Sequence, residues 1–590
     1  MSIPRHTFPI AVVALLNSLG MAAAGTFTWD SSGANPANPV DGAGTWNTSN
    51  LLWSDGATDS AWNNAGNDTA VFGNANGAAG TVSLGSAITA GGITFNLPGS
   101  GNYLISSGTL TLGGSTPTLN TVANAEISSA IIGTTGLVKT GTGKLTLSGT
   151  NTYSGGTQIS AGTLSFSAGV NLPTGSITLD GGTLEFTGTT YTPINRALVI
   201  TTSGGSISAN GSNSPAGYLA YTGGISYSGS GNRSLTLTGT NTQGNTLSSA
   251  LTDGTGGVTS LVKEGSSVWL VRGNNKTYTG DTVINAGTLR TYGDAANELP
   301  TNNTVKISAA GTLSLNNDQS IANLQDGTGG GGVIREAFTS ATLTVESGSF
   351  SGQIRDNGTS RLIGLTKSTT GVLRLSGTNN TYGNGTTVTA GTLIINNASG
   401  NALGSGAVSV TGTLAGNGFA ALGGSNSVNV GTNGAIAPGD SAQSGGIGTL
   451  TLSGSSTSGA ILNMQAGSSF SFTLGAADAN DTVRFFSYAG ASDFLRDSGG
   501  VMLNFTGAQN GTFDLFSFYS NAGTTLTSAG FTELSSNFVL GSGLSGFTPT
   551  WDYSTTGVIS LTLNAVPEPS VIGLAVVGLA AGLARLRRKK

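Results

Sequence analysis

Apolar residues alternate with hydroxyl and amide side chains in short bursts along most of this chain. In Lys144-Leu145-Thr146-Leu147 the apolar positions fall two apart, the period of a β-strand with one buried face. Val268-Trp269-Leu270-Val271 and Val372-Leu373-Arg374-Leu375 repeat the pattern, as do Thr157-x-Ile159, Thr282-x-Ile284 and Thr386-x-Val388. Gly and Asn separate the bursts, and these residues favour turns that need positive φ. From about residue 80 to 455 the pattern predicts short strands joined by tight turns, with no helical period in competition.

Three segments align: 137–164, 261–289 and 365–393. From Lys139, Lys263 and Lys367 to Gly149, Gly273 and Gly377 the spacing is ten residues each time, and from Tyr153, Tyr278 and Tyr382 to the closing leucine it is eleven. The longer copies carry one more residue before the Tyr, assigned to Asn275 and Asn380. The triplet Gly-Thr-Leu also recurs outside the units, at Gly108, Gly182, Gly311, Gly412 and Gly448. One such unit cannot bury its own apolar face, but stacked units make a continuous core. The expected fold is all-β: a right-handed parallel β-helix with β caps. Leu, Val and Ile ladders run inside, and Thr, Ser and Asn ladders outside. An antiparallel sandwich array is the alternative.

The repeated Leu-Val-Lys … Gly-x-Asn-x-Tyr … Gly-Thr-Leu unit resembles the autotransporter-associated β-strand repeat. Gly412 to Gly418 with Ala437-Pro438-Gly439-Asp440 is similar to it as well. The resemblance implies a β-helical passenger displayed outside the cell. No block of about twelve long amphipathic strands follows, so self-translocation through an outer-membrane barrel is not expected.

The flanks differ from the repeats. Residues 25–80 hold Trp29, Trp46, Trp53 and Trp62, expected as a cap over the first coil in preference to a sugar-binding module. Residues 81–455 form the β-helix, and residues 456–565 a C-terminal β region.

Both ends read as targeting segments. Residues 1–24 form a signal peptide with an apolar run from Phe8 to Leu16 and small residues before a cut between Ala24 and Gly25. Residues 566–590 contain Pro567-Glu568-Pro569, a transmembrane helix over 571–586 and a basic stop of Arg585, Arg587, Arg588, Lys589 and Lys590. This end resembles the PEP-CTERM sorting signal of Gram-negative bacteria. The resemblance implies Sec-type export, an inner-membrane stage held by the helix, and an exosortase-like processing enzyme.

Charge and composition narrow the chemistry. Setting aside Arg5 and the five basic residues of the tail leaves 16 cations, and setting aside Glu568 leaves 26 anions. A body near −10 argues against nucleic acid. Cysteine is absent and the one histidine is His6, so the exported body has no Ser-His-Asp triad and no His/Cys zinc site. No cofactor or metal is expected, since Asp478-Ala479-Asn480-Asp481 lacks the rest of a calcium loop. Tyr153, Tyr278 and Tyr382 are expected to pack turns in preference to forming a sugar platform, and Lys139, Lys263 and Lys367 to lie on a solvated face. Asp326, Glu336, Glu346 and Asp356 recur every ten residues, so a twenty-residue coil would stack Asp326 on Glu346 and Glu336 on Asp356. They are expected as solvated turn residues. The function expected is a non-enzymatic surface or extracellular-matrix protein with adhesin-like character, with extracellular polysaccharide as a candidate partner. The alternatives are a β-helical polysaccharide hydrolase or lyase, and a carbohydrate-binding surface protein.

Overall fold

A computed structural model describes residues 24–566, apart from 215, 294–295, 425, 443–445, 455–460, 477–478, 488–494, 498, 521–537 and 556. Of the expected signal peptide, residues 1–23 lie outside the described residues. So do the Pro567-Glu568-Pro569 motif, the 571–586 span and the basic stop. Among the described residues no helix is long and apolar enough to cross a membrane, and the helical element is a single 3-10 turn, Gly169–Asn171. The chain divides into two compact units, up to Ile177 and from Thr178.

In the first unit short strands stack in parallel, each pairing with the strand one coil on. One inward column runs Ala70, Ile93, Leu119, Lys139 and Ile159. A second runs Val82, Ile105, Ile127 and Leu147. A third ladder joins Ile88–Ala90, Thr109–Leu112 and Ala130–Ile132. The coils are therefore three-sided, and every apolar member of the first two columns is buried. Period-two alternation makes this possible, because one residue in two faces the interior.

The second unit is built the same way. Its columns include the buried Leu373, Leu393, Leu414, Ile436, Phe470 and Leu503. Another runs Val345, Lys367, Val388, Val410, Val430 and Met464. Each fully buried aliphatic side chain contributes about 1.5–3 kcal/mol, so the columns supply most of the driving force. The expected parallel solenoid is present, and the sandwich array is not.

The exceptions to parallel pairing include strands near the two ends of the described chain. Thr26–Trp29 pairs antiparallel with Trp53–Ser54, which pairs antiparallel with Asp59–Ser60. Gly511–Ser520 pairs antiparallel with Val558–Ala565, as does Phe547–Asp552. Such strands cover the outermost parallel edge, which would otherwise template further pairing.

Amides depart from the expected layout. Threonine and asparagine do line outer rungs, as where the Thr140 hydroxyl meets Asn120 at 3.3 Å. Yet Asn151, Asn171, Asn241, Asn245, Asn303 and Asn380 are buried at corners. Asn151 accepts the Ile131 N–H and donates to the Asn171 carbonyl. Asn380 makes the matching pair with Ile354 and Ala402. A buried corner backbone needs partners, and one amide supplies both a donor and an acceptor. This match makes Asn379, held at φ 60°, the additional residue of the third copy in place of Asn380.

Candidate functional site

The repeat lysines are not solvated. Lys139, Lys263 and Lys367 are each 0 % exposed, in inward columns between aliphatic neighbours. Lys139 Nζ donates to the carbonyls of Thr140 at 2.7 Å, Gly141 at 2.9 Å and Ala161 at 3.1 Å. Lys263 Nζ donates to Glu264 at 2.5 Å, Gly265 at 2.8 Å and Ala286 at 3.0 Å. Lys367 Nζ donates to Ser368, to Thr369 at 2.9 Å and to Ala390 at 3.2 Å. An ammonium has three donors and no acceptor, so three converging carbonyls satisfy it. The sequence expectation failed because it took charge as a sign of exposure and did not foresee carbonyls turned inward at a corner. The Gly of Gly-Thr-Leu closes the cage. Gly287 sits at φ 66°, and a Cβ there would lie 2.4 Å from the Gly265 oxygen and 2.8 Å from Lys263 Nζ. Desolvation pushes Lys139 and Lys263 down to about 8, and lowers Lys367 as well.

The tyrosines do pack turns. Each is 0 % exposed, and each hydroxyl meets the threonine four residues on: Tyr153 with Thr157 at 2.7 Å, Tyr278 with Thr282 at 2.6 Å, Tyr382 with Thr386 at 2.7 Å. They form no sugar platform. The four N-terminal tryptophans are buried too, with centroids 4.7–5.3 Å apart in the pairs Trp53–Trp62, Trp46–Trp53, Trp46–Trp62 and Trp29–Trp53. They fill the interior and present no stacking surface.

The ten-residue carboxylate series comes half together. Arg335 pairs with Arg355, which brings Glu336 level with Asp356. Gln325 pairs with Ser349, so the longer coil there moves Asp326 away from Glu346. Glu336 is 2 % exposed and both its oxygens accept the Asn357 N–H, at 2.7 and 2.9 Å. Asp356 accepts the Ile363 N–H at 2.7 Å. Desolvation, with a smaller push from Glu336, raises the Asp356 pKa. Both carboxylates of the stacked pair are tied to backbone amides, so they anchor turns. Glu336 is buried where a solvated turn was expected.

A groove of about 490 Å³ lies within the second unit. Ile394, Ala415 and Ala437 form its floor, and Thr413, Ser471 and Asn504 stand among its polar lining. Asp481 at its edge is 1 % exposed and accepts the N–H groups of Gly448 at 2.8 Å and Thr473 at 2.6 Å. Burial raises its pKa to about 6. Beyond the floor, the Arg374 guanidinium forks onto Asp440, Nε and Nη2 each at 3.2 Å. Burial alone would raise the Asp440 pKa. The Arg374, Ala442 and Asn396 hydrogen bonds and the Arg374 charge outweigh it and hold the carboxyl below its ordinary range. Sequence reasoning missed Arg374 as a site residue. The available signal was its outward position in Val372–Leu375, where the other copies have Thr146 and Leu270.

The groove offers hydroxyls, amides and an apolar floor, which suits a polyhydroxylated ligand. Asp481 and Asp440 are committed to amides and to Arg374. Among the described residues no group of three or more His, Cys, Asp or Glu is placed to hold a metal ion. Asp478 of the calcium-like stretch lies outside them.

Residues 137–166, 261–290 and 365–395 match the passenger-associated-transport-repeat family. These are the coils with the lysine cages and tyrosine–threonine bonds. Over 169 residues the chain is also 46 % identical to the adhesin BmaC autotransporter of Brucella suis biovar 1 (strain 1330). The alignment covers 28 % of this chain and 5 % of that protein, so the chain spans a small fraction of its curated relative's length.

Proposed function

We propose that this chain is an exported, surface-displayed passenger whose stacked coils serve adhesion and not catalysis. The observation that carries this is the threefold recurrence of one interior bonding set in the segments that match the transport-repeat family. A chain that spends its polar interior on identical corners is specified for coil stacking, and stacking yields a long ladder of exposed hydroxyls and amides. Likeness to an adhesin over 169 residues supports the same reading.

Sorting through the 566–590 segment belongs to this proposal. Pro567-Glu568-Pro569 would be read by an exosortase-like enzyme while the 571–586 helix holds the precursor in the inner membrane, with Arg585, Arg587, Arg588, Lys589 and Lys590 on the cytoplasmic side. At the other end, the Gly25 nitrogen lies 2.7 Å from Asp68 Oδ1. A new α-ammonium made by cleavage after Ala24 would meet a carboxylate there, which supports that cut. The test is fractionation with mass spectrometry of both termini, in the native chain and with Pro567, Glu568 and Pro569 replaced by Ala. An uncleaved inner-membrane product in the variant is expected, and unchanged processing would sink the sorting claim. Protection of the intact native protein from externally added protease on whole cells would sink surface display.

A further inference from the structure

An acidic body carries one concentrated strip of positive charge, on the outer face of the second unit. Arg290 pairs in register with Ser314, Ser314 with Arg335, and Arg335 with Arg355. Each follows a buried apolar residue, Leu289, Leu313, Ile334 or Ile354, so by strand alternation they form one outward row. Neighbouring rungs lie about 4.8 Å apart, which sets Arg335 one rung from Arg355 and two from Arg290. Ser314 is 1 % exposed and its hydroxyl has no partner, as expected where longer arginine side chains lie over it.

Two rings hold the guanidinium planes. Arg290 Cζ lies 4.9 Å from the Phe338 centroid, and Arg272 Cζ 4.8 Å from that of Tyr292. The rings meet edge-to-face at 5.9 Å, and Phe338 is 49 % exposed. Stacking on a ring fixes the plane of a guanidinium and leaves its N–H edge available for a bidentate anion.

Among the described residues no carboxylate forms an ion pair with these cations. The Lys306–Asp281 and Arg374–Asp440 ion pairs do not involve the strip. The Nε atoms of Arg290 and Arg335 are buried without a hydrogen-bond partner, and Arg335 Nη1 reaches Asn357 Oδ1 only at 3.3 Å. Like charges left unpaired in a protein of net −5 cost free energy unless an anion completes them.

We propose that Arg272, Arg290, Arg335 and Arg355, with Tyr292 and Phe338, bind a linear polysaccharide that carries carboxylate or sulfate groups at regular intervals. The strip runs across successive coils, so its charges repeat at one and two rungs. A polymer with an anion on every sugar or every second sugar meets them in register. The exposed ring offers an apolar face to a sugar, and the acidic surroundings disfavour nucleic acid and anionic lipid, which need a broad cationic field. This rests on the surface-display reading and names its partner.

The test uses the exported chain and measures binding of polygalacturonate and heparin, with dextran as the neutral glycan. Single-stranded DNA and phosphatidylserine vesicles are further arms. Binding to at least one acidic glycan, weakened tenfold or more by R335Q/R355Q and weakened by F338A, is expected. Preference for polygalacturonate assigns carboxylate recognition, and preference for heparin assigns sulfate. The variants should keep the native urea midpoint, and R355Q alone, at an exposed position, serves if the double variant does not fold. Equal binding of dextran, tighter binding of DNA or vesicles, or acidic-glycan binding indifferent to R355Q would overturn the proposal. Whole-cell protease accessibility, measured in parallel, separates that failure from a failure of surface display.

Discussion

Two corners in the first unit solve one problem with opposite charges. At the Lys139 corner the backbone turns carbonyls inward, and an ammonium meets three of them. At the Trp-rich end the loops turn N–H groups inward, and carboxylates meet those. Asp30, 0 % exposed, accepts the amides of Ser32, Asn35 and Val40. Asp41 accepts those of Asn74 and Asn76 and the Tyr103 hydroxyl. Arg233 in the second unit follows the lysine rule, donating to four carbonyls including Ile200 and Gly231. The sign of a buried charge here follows the polarity of the inward-facing backbone. Such groups are structural, whereas among the described residues the outer arginines of the 290–355 row have no ion pair and no backbone to serve.

Reversing the sign should do most damage. Lys263→Glu sets a carboxylate against three carbonyl oxygens, and we expect a loss of about 4–5 kcal/mol, in the range reserved for unpaired buried charge. The readouts are the urea midpoint and hydrogen-exchange protection over 259–291, and retained protection there would break the comparison. Removing charge without reversing it should cost less. Lys263→Met leaves three carbonyls without their donor. Asp41→Ala leaves two backbone N–H groups and the buried Tyr103 hydroxyl without their acceptor. About 3 kcal/mol is expected from either. A near-neutral Lys263→Met would mean that water replaces the amine. Tyr278→Phe deletes one hydroxyl facing Thr282, for about 1 kcal/mol, and an effect as large as that of Lys263→Met would show that the tyrosine, not the lysine, holds the corner.

A pH profile tests the lysine side of the comparison as a whole. Buried Lys139, Lys263 and Lys276 titrate near 8 in the folded chain, against about 10.4 unfolded. The unfolded chain then holds the extra protons between those limits, so stability rises with pH from about 8 towards 10. Burial raises Tyr153, Tyr278 and Tyr382 above their ordinary value. The folded chain keeps those protons longer, so stability falls again above about pH 10. Urea midpoints from pH 7 to 11 should show the rise and the fall, and Lys263→Met should flatten the rise. A midpoint that declines steadily from pH 7 would contradict the assignment.

Much of the fold was legible. Leu145 and Leu147, Trp269 and Val271, Leu373 and Leu375 face inward as period two requires, and the parallel stacking follows from repeats that share one pattern. The tyrosines were legible through their spacing. The lysines were not, because a charged residue opening a strand carries the same letter whether it faces water or a cage of carbonyls. The Arg290–Arg335–Arg355 row is not legible in the sequence, because its members lie in coils of unequal length and only strand register brings them into line. Glu336 and Asp356 were matched correctly, whereas Asp326 and Glu346 were not, since the sequence does not show where a loop lengthens a coil.

Sequence alone determined the strand period, the recurrence of the unit and therefore the stacking, because alternation and repetition are local properties. The tertiary structure decided which polar residues turn inward, which cations lack an ion pair and which outer side chains share a row. Those depend on the direction of corner carbonyls and on register between residues twenty or more apart, and no local pattern encodes either.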